Sequence, residues 1–335
     1  MTSIPRATQL LSDADIEELF NDDWTGAINI VREAMRSRLS GGVIFPGKVT
    51  QMFDAKIQDR INCMPASLVD ANLAGVKWVS VFPRNPQQGI ANVNGIMILS
   101  EISYGLPLAV LGAGAMTSIR TAAVGATAAE LLAPREVKKI GCIGAGSEAA
   151  WHISALLSLF PSVRTCAVSS KSGVSAGSLC KKESIKFPCV EFLDCGSNLQ
   201  TAALGADIII TATSAQEPLL KADWIKPGSL YIHVGGWEDE LAVVEKATLI
   251  ICDDWESVKH RGSQTLSKAF KTGVLQDDEV FNFDEYLQNA EPKREEDDIV
   301  YFNSVGLSFI DVAFANYFYL KSLTNSKYTS FRFCG

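Results

Sequence analysis

A glycine-rich hexapeptide in the middle of the chain has the residue types and spacing that bind a pyrophosphate. It consists of Gly144, Ala145, Gly146, Ser147, Glu148 and Ala149. In a G-x-G-x-x-G/A turn the first glycine permits the tight turn, the second lets the pyrophosphate approach the backbone, and the third small residue packs closely. The N–H groups at a helix N-terminus attract the phosphates. The motif predicts a dinucleotide site, and a strand–helix turn without a ligand is the alternative.

The next apolar run indicates which dinucleotide binds. It ends in Ser169 and Ser170, followed by Lys171, with no acid at its end. An NAD site usually carries an Asp or Glu here, which accepts hydrogen bonds from the ribose. Two hydroxyls and a lysine would instead suit a 2′-phosphate. We therefore expect NADP(H) as the preferred cofactor. The alternative is NAD(H), with Lys171 an ordinary exposed loop residue.

The elements around this motif predict a parallel sheet. Residue Pro134 ends an Ala-rich helix over 117–132, and apolar runs then alternate with helical segments such as 148–160. The apolar runs are 139–143, 163–170, 206–214, 229–236 and 247–254. Continuous apolar strands alternating with helices are typical of a doubly wound α/β fold.

The remainder of the chain has a different pattern. Ser12 is a candidate N-cap for helices over 13–39. Short apolar runs separated by Gly, Pro and Asn over 43–111 predict a mostly antiparallel sheet. The amphipathic, aromatic segment 306–323 predicts a last helix that packs back on the first domain, and the charged run 291–298 predicts a solvated loop.

Composition excludes several classes of protein. The 335 residues include 30 basic and 38 acidic side chains, a net charge of −8 that disfavours nucleic acid and anionic membranes as partners. No apolar stretch reaches the ~18 residues of a membrane span, and the start has no secretory signal pattern. The eight cysteines and three histidines lack ligand spacing, so we expect no metal and no disulfide framework. We expect a soluble, cytoplasmic protein.

Four segments together resemble the ornithine cyclodeaminase/μ-crystallin family. They are GVKWVSVFPRNPQQGIANVNG, PLAVLGAGAMTSIRTAAVGATAAELLA, IGCIGAGSEA and ADIIITATS, in the family's order, and the resemblance covers about 64–254. It implies a Rossmann-type dinucleotide domain over 126–303. It also implies an α+β substrate and dimerisation domain over 1–125 with 304–335, and a homodimer. The chemistry implied is at the C–N or C=N bond of an α-amino or α-imino acid.

The resemblance also assigns residues. Lys77 falls on the family's active-site lysine and Arg120 on its carboxylate-binding arginine, with Lys48 and Asn92 as further substrate contacts. It extends the cofactor set to Thr211, Ala212, Thr213 and Gly235. A lysine beside an arginine would have a lowered pKa and could move a proton at the substrate nitrogen. The alternatives are an edge-strand lysine for Lys77 and an ion pair within the fold for Arg120.

One departure from the cyclodeaminases bears on the reaction. They have an aspartate after the Gly-Gly pair, where this chain has Trp237, followed by Glu238 and Asp239, which could swing in. The tract is more similar to that of N-substituted amino-acid dehydrogenases. Trp237 and Trp255 line a substrate pocket or belong to the core. His260 with Arg261 fits a helix end better than a cofactor contact.

These observations favour an NAD(P)-dependent oxidoreductase that acts on an α-amino or α-imino acid, of the ketimine reductase or N-substituted amino-acid dehydrogenase type. The first alternative is a redox-neutral deaminating lyase of the ornithine cyclodeaminase type. The second is a non-catalytic binding protein like μ-crystallin.

Overall fold

A computed structural model describes residues 7–289 and 293–333. The helices are α1 Asp13–Phe20, α2 Trp24–Leu39, α3 Ala113–Leu132, α4 Ser147–Leu159, α5 Val174–Lys186, α6 Leu199–Ala203, α7 Leu241–Lys246, α8 Trp255–Lys259, α9 Thr265–Thr272, α10 Phe283–Asn289 and α11 Ser308–Ser322. The strands are β1 Thr8–Leu11, β2 Val43–Ile44, β3 Val49–Asp54, β4 Asp59–Leu68, β5 Leu73–Val81, β6 Val93–Glu101, β7 Pro107–Gly112, β8 Lys139–Ile143, β9 Thr165–Ser169, β10 Glu191–Asp194, β11 Ile208–Thr211, β12 Gln216–Leu220, β13 Leu230–His233, β14 Trp237–Asp239, β15 Leu249–Cys252, β16 Val280–Asn282, β17 Val300–Asn303 and β18 Thr329–Phe331.

The chain divides into two compact units. The first comprises the residues up to Arg120 together with those from Leu307 onward, and the second comprises Thr121–Gly306. The division between Arg120 and Thr121 lies within α3, so this helix begins in the first unit and ends in the second. These limits lie a few residues from the predicted domain boundaries at 125/126 and 303/304.

The first unit is built on a sheet in the order β18-β1-β7-β6-β5-β4-β2, with β3 paired to β4. All pairings are antiparallel except the parallel pair of β1 and β7, as the short runs over 43–111 predicted. Helix α11 packs against β4, β5, β6 and β7. The predicted return of the last helix to the first domain is therefore confirmed.

The first helix begins where the sequence predicts. The Ser12 hydroxyl accepts a hydrogen bond from Asp15 N, and the Asp15 carboxylate accepts one from Ser12 N, which makes a capping box. Asp13 in turn accepts a hydrogen bond from Ala115 N in the first turn of α3. The helix that carries Arg120 is thus anchored at its start by a carboxylate of the same unit.

The second unit is built on an eight-stranded sheet in the order β10-β9-β8-β11-β13-β17-β15-β16. Every pairing in it is parallel. The strand order reverses between β8 and β11, and in open α/β sheets ligands bind beside the carboxyl ends of the strands at such a switch point. The predicted Rossmann-type, doubly wound fold is confirmed.

One central strand was not predicted. β17 pairs with β13 on one side and β15 on the other, and all four of its residues are buried. It directly follows the charged run, of which residues 293–298 form a loop, while 291 and 292 lie outside the described residues. Outside this sheet, β12 and β14 pair in parallel and form a separate two-stranded sheet.

Among the described helices, none is both long enough and apolar enough to cross a membrane.

Candidate active site

Lys77 lies in the interior of the first unit. It occupies the middle of β5, whose neighbours β4 and β6 flank it on both sides, so it is not an edge lysine. Its side chain shares the buried face of the strand with Leu73 and Val79 and is only 1% exposed. A buried ammonium is rare unless an opposite charge accompanies it.

That charge comes from Asp311 in the first turn of α11. Its Oδ1 accepts a hydrogen bond from Lys77 Nζ at 2.8 Å, and Thr117 Oγ1 lies 3.3 Å from the same nitrogen. Asp311 is fully buried. The expectation for Lys77 considered only a neighbouring arginine, and the structure adds this carboxylate.

Arg120 shares the same carboxylate oxygen. Its Nε lies 2.9 Å from Asp311 Oδ1 as an ion pair without aligned hydrogen-bond geometry. Asp311 is its only ionic contact among the described residues, and it occupies the Nε edge of the guanidinium. The two terminal nitrogens of Arg120 therefore retain the fork geometry that grips a carboxylate bidentately.

The two weaker substrate candidates lie on other elements of this unit. Lys48 is exposed and directly precedes β3. Asn92 directly precedes β6, and its carbonyl accepts a hydrogen bond from Phe82 N at 2.9 Å. Its side-chain Oδ1 is buried without a hydrogen-bond partner among the described residues. The contacts that join Lys77, Arg120 and Asp311 do not include either residue.

The glycine turn of the second unit fits a dinucleotide. Gly144 has φ of +116°, and a Cβ there would lie 2.3 Å from Ala212 O, so the position requires glycine. A Cβ on Gly146 would meet nothing within 4 Å, which leaves open space at the start of α4. Gly146 is the N-cap of that helix and supplies no side-chain hydrogen bond. The N–H groups of Ser147, Glu148 and Ala149 at the first turn are of the kind that binds phosphate.

The end of β9 presents one cation and two occupied hydroxyls. Ser169 is fully buried with its Oγ 3.5 Å from Cys142 O, and Ser170 Oγ accepts a hydrogen bond from Ala176 N at 3.2 Å. Lys171 is exposed beside the start of α5. The exposed polar group at the end of this strand is therefore Lys171, whereas both serine hydroxyls have contacts within the protein.

Glu238 connects the two loops that follow β11 and β13. Its carboxylate accepts hydrogen bonds from Thr211 Oγ1 at 2.8 Å, from Thr213 N and Oγ1 at 2.6 Å each, and from Gly235 N at 2.7 Å. Thr211 is fully buried, so its hydroxyl is committed to this network. Ala212 N donates to Ile143 O, at the end of β8. Burial raises the pKa of Glu238, and these donors oppose the rise.

Asp239 lies in a buried polar network beside it. It accepts hydrogen bonds from Thr265 Oγ1 at 2.8 Å and from the hydroxyls of Tyr231 and Tyr301 at 3.0–3.2 Å. Burial raises its pKa to about 7 and lowers the pKa of His233, whose Nε2 is 3.6 Å from both acids, to about 3. Both acids are fully buried, and their carboxylates are engaged in these hydrogen bonds.

The remaining candidates have surface or core positions. Trp237 begins β14, and Lys268 Nζ lies 4.1 Å from the centre of its ring. Trp255 is buried in the core of the second unit, with its Nε1 donating to Asp277, so it is a core aromatic. His260 is the exposed C-cap of α8, and Arg261 donates to Val305 O. The interpretation of this pair as helix-end residues is confirmed.

Metal-ligating residues do not cluster in the described ranges, where no group of three His, Cys, Asp or Glu side chains could hold an ion. None of the seven cysteines within these ranges forms a disulfide, and Cys142 and Cys252 are buried as small hydrophobic residues.

The most informative residue that sequence reasoning missed is Asp311. It is the only acid in the apolar segment 306–320, and a lone carboxylate in a helix pattern that packs on a core was the available signal. The alternative for Arg120 was an ion pair within the fold, and such a pair is present. The acid of that pair is Asp311, 191 positions later in the chain.

Comparison with known proteins places this geometry in a family. The family model described as ornithine cyclodeaminase/mu-crystallin matches residues 6–326. Alanine dehydrogenase of Archaeoglobus fulgidus is 31% identical over 337 residues, which cover 97% of this chain and 98% of that protein.

Two solved structures are similar over nearly their full length. Thermococcus litoralis Δ1-pyrroline-2-carboxylate reductase, in complex with NADH and L-proline, has a TM-score of 0.90 at 27% identity and covers 96% of this chain and 99% of its own. An archaeal alanine dehydrogenase dimer with bound NAD has a TM-score of 0.87 at 29% identity, covering 98% and 100%. The predicted family is confirmed: the chain belongs to the ornithine cyclodeaminase/μ-crystallin family.

Proposed function

We propose that this protein is an NAD(P)-dependent oxidoreductase that acts on the C–N or C=N bond of an α-amino or α-imino acid. The observation that carries the proposal is the buried Lys77 and Arg120 pair in the first unit, 2.8 and 2.9 Å from one carboxylate oxygen. In this contact two buried cations share one buried carboxylate. A substrate carboxylate is the kind of anion that the fork of an arginine binds.

Each residue has a distinct role in this reaction. Arg120 grips the substrate carboxylate through its terminal nitrogens and fixes the orientation of the α-carbon. Lys77, as an ammonium, gives a proton to the imine nitrogen during reduction and takes it back during amine oxidation. A dinucleotide held by the glycine turn of the second unit supplies or accepts the hydride. The atoms balance: one C=N bond, one hydride and one proton become one CH–NH group.

The relatives support this class of reaction over the redox-neutral alternative. One similar structure is a reductase in complex with NADH and L-proline, and another is an alanine dehydrogenase with bound NAD. The acid expected for cyclodeamination is replaced by Trp237, and both following acids are buried. These observations favour a reductase or dehydrogenase.

We propose NADP(H) as the preferred form of the cofactor, with NAD(H) as the alternative. The support is the exposed Lys171 at the end of β9 and the absence of an acid there. The N-terminus of α5 adds a partial positive charge. Its N-cap is Gly173, which has no side chain that could accept hydrogen bonds from the first N–H groups of the helix. The bound cofactors named for the two similar structures are NADH and NAD, so this chain would differ from them.

We also propose a homodimer, formed through the outer face of the first sheet. Val49, Cys63, Trp78 and Ile96 lie opposite one another across β3, β4, β5 and β6. Val49, Trp78 and Ile96 are 61%, 41% and 44% exposed, so they form a continuous apolar row that faces away from α11. A second copy presenting the same row would cover it in a two-fold interface. The similar alanine dehydrogenase is named as a dimer.

We further place the protein in the cytoplasm. No disulfide joins its seven described cysteines, and reduced thiols are the rule in a reducing compartment.

The function is tested with a panel of substrates and purified protein. NADPH or NADH oxidation would be followed with cyclic imino acids and with pairs of keto acid and amine. A cyclic imine without a carboxylate is the matched control. We expect turnover only with carboxylate-bearing imines, because Arg120 binds that group. Absence of turnover throughout the panel would contradict the proposal and favour a binding role.

A further inference from the structure

Burial of the Asp311 carboxylate in the first unit is unfavourable in free energy. Asp311 is fully buried, and its Oδ2 has no hydrogen-bond partner among the described residues. Burying a charged oxygen without a partner is unfavourable, and such groups in native structures call for an explanation. Stability alone does not provide one, since an apolar residue at this position of α11 would avoid the penalty.

The other oxygen of Asp311 joins two residues of the proposed reaction. Lys77 Nζ and Arg120 Nε lie 2.8 and 2.9 Å from Oδ1, and both side chains are nine-tenths or more buried. Lys77 belongs to β5, Arg120 to α3 and Asp311 to α11. One atom therefore sets the distance between a proton donor and a carboxylate-binding group that come from separate elements.

We infer that Asp311 is a positioning residue for the reduction of the imine, an inference that rests on the proposed function. Asp311 acts through Lys77 and Arg120 and does not itself contact the substrate. It holds the ammonium of Lys77 in one rotamer and turns the Nε edge of Arg120 inward, which directs the terminal nitrogens to the substrate carboxylate. Reaction geometry of this kind depends on placement to within about an ångström.

The first test replaces the charge and keeps the shape. Asp311→Asn removes the shared anion, and we expect kcat/KM for the best imino acid to fall by at least about 100-fold, in both kcat and KM. NAD(P)H affinity, a property of the second unit, should not change. Glu101→Gln is the matched control, because Glu101 is also a buried acid of the first unit but caps the turn at Tyr104 and Leu106. Wild-type kinetics in Asp311→Asn would overturn the inference.

A double-mutant cycle separates positioning from a merely structural role. If Asp311 acts through Lys77 as well as Arg120, Asp311→Asn should cost a smaller factor of activity in the Lys77→Met background than in wild type, and the part that remains is the effect on Arg120. Losses that multiply would overturn the inference.

A third variant keeps the proposal testable if Asp311→Asn does not fold. Asp311→Glu retains the charge but moves it by one methylene, so we expect a folded protein with lower kcat and a displaced pH profile of kcat/KM. An unshifted profile with wild-type kcat would overturn the inference. If the wild type itself turns over no imino acid, the proposed function fails; if only the variants behave as wild type, the role of Asp311 fails.

Discussion

At the scale of single residues, the two units contain buried charges of two kinds. Lys77 and Arg120 share the carboxylate of Asp311 within the first unit. His233, Glu238 and Asp239 form a second buried group, in which burial raises the pKa values of both acids and lowers that of the histidine. The first group contains the residues of the proposed reaction. The second group links the loops that follow β11 and β13, and these loops contain predicted cofactor residues.

The second group predicts a specific dependence of stability on pH. Asp239 has a pKa raised from 3.8 to about 7, so its contribution to the free energy of unfolding falls as pH rises through this interval. His233 has a pKa lowered from 6.5 to about 3, so its contribution falls as pH drops below 6.5. The two slopes oppose each other between about pH 4 and pH 6.5.

Asp239→Asn should therefore change the slope of stability against pH. Without the falling contribution, the free energy of unfolding should rise with pH by about 1.4 kcal/mol per unit relative to wild type between about pH 4 and 6.5. Urea unfolding at a series of pH values measures this slope. Asp223→Asn, at an exposed acid of the same unit, is the control. Parallel curves for wild type and Asp239→Asn would show that Asp239 is ionised in the folded protein.

Cofactor choice is also decided by single residues. Lys171→Glu should weaken NADPH binding by about 10-fold or more and leave NADH binding nearly unchanged, because only NADPH carries the 2′-phosphate. Fluorescence titration of each cofactor measures both affinities. Lys181→Glu makes the same charge change farther along α5, at another exposed position. Equal losses for the two cofactors would mean that Lys171 contributes only a general positive field.

At the scale of elements, two glycines in the turn between β8 and α4 should affect different properties. Gly144 should affect the stability of the fold, and Gly146 should affect the binding of the dinucleotide. Gly144→Ala would place a Cβ 2.3 Å from Ala212 O at a φ of +116°, so it should destabilise the protein by about 1–3 kcal/mol. Gly146→Ala meets open space at a φ of −89°, so stability should stay within about 0.5 kcal/mol while dinucleotide affinity falls. Thermal unfolding and NADPH titration distinguish them. Unchanged affinity in Gly146→Ala would mean that the pyrophosphate does not lie there.

The elements also show how far the sequence could predict the fold. Long apolar runs such as β8, β9 and β11 and the Ser12 cap are local patterns, and the structure has them where they were predicted. β17 was missed because four residues after a charged run carry too little pattern, and its stability comes from pairing with β13 and β15.

The same limit applies to the site. Glycine spacing and the end of β9 are readable in one stretch of sequence. The contact between Lys77 and Asp311 spans 234 positions, and nothing local in the chain specifies it. The hydrogen bonds from Thr211 and Thr213 to Glu238 likewise form only once β11 and β14 have folded. Tertiary contacts of this kind decide which hydroxyls remain open to a cofactor.

At the scale of the whole molecule, the apolar row on the first sheet predicts association. Val49→Arg with Ile96→Arg should convert a dimer into a monomer, because two-fold symmetry would bring like charges together. Sedimentation velocity measures the mass. Ile185→Arg, on α5 of the second unit, changes a more exposed apolar residue and should leave the dimer intact. A monomeric wild type at micromolar concentration would contradict the proposed interface.

The most direct test of the proposed chemistry compares Lys77→Met with wild type in steady-state reduction of a cyclic imino acid, alongside NADPH titration of both proteins. Lys56→Met, at an exposed lysine of the same unit, is the control. If Lys77 moves the proton, turnover should fall by about 100-fold to 10,000-fold while NADPH affinity is retained. Turnover near the wild-type rate in Lys77→Met would contradict the role of Lys77 and, with it, the proposed reaction at this site.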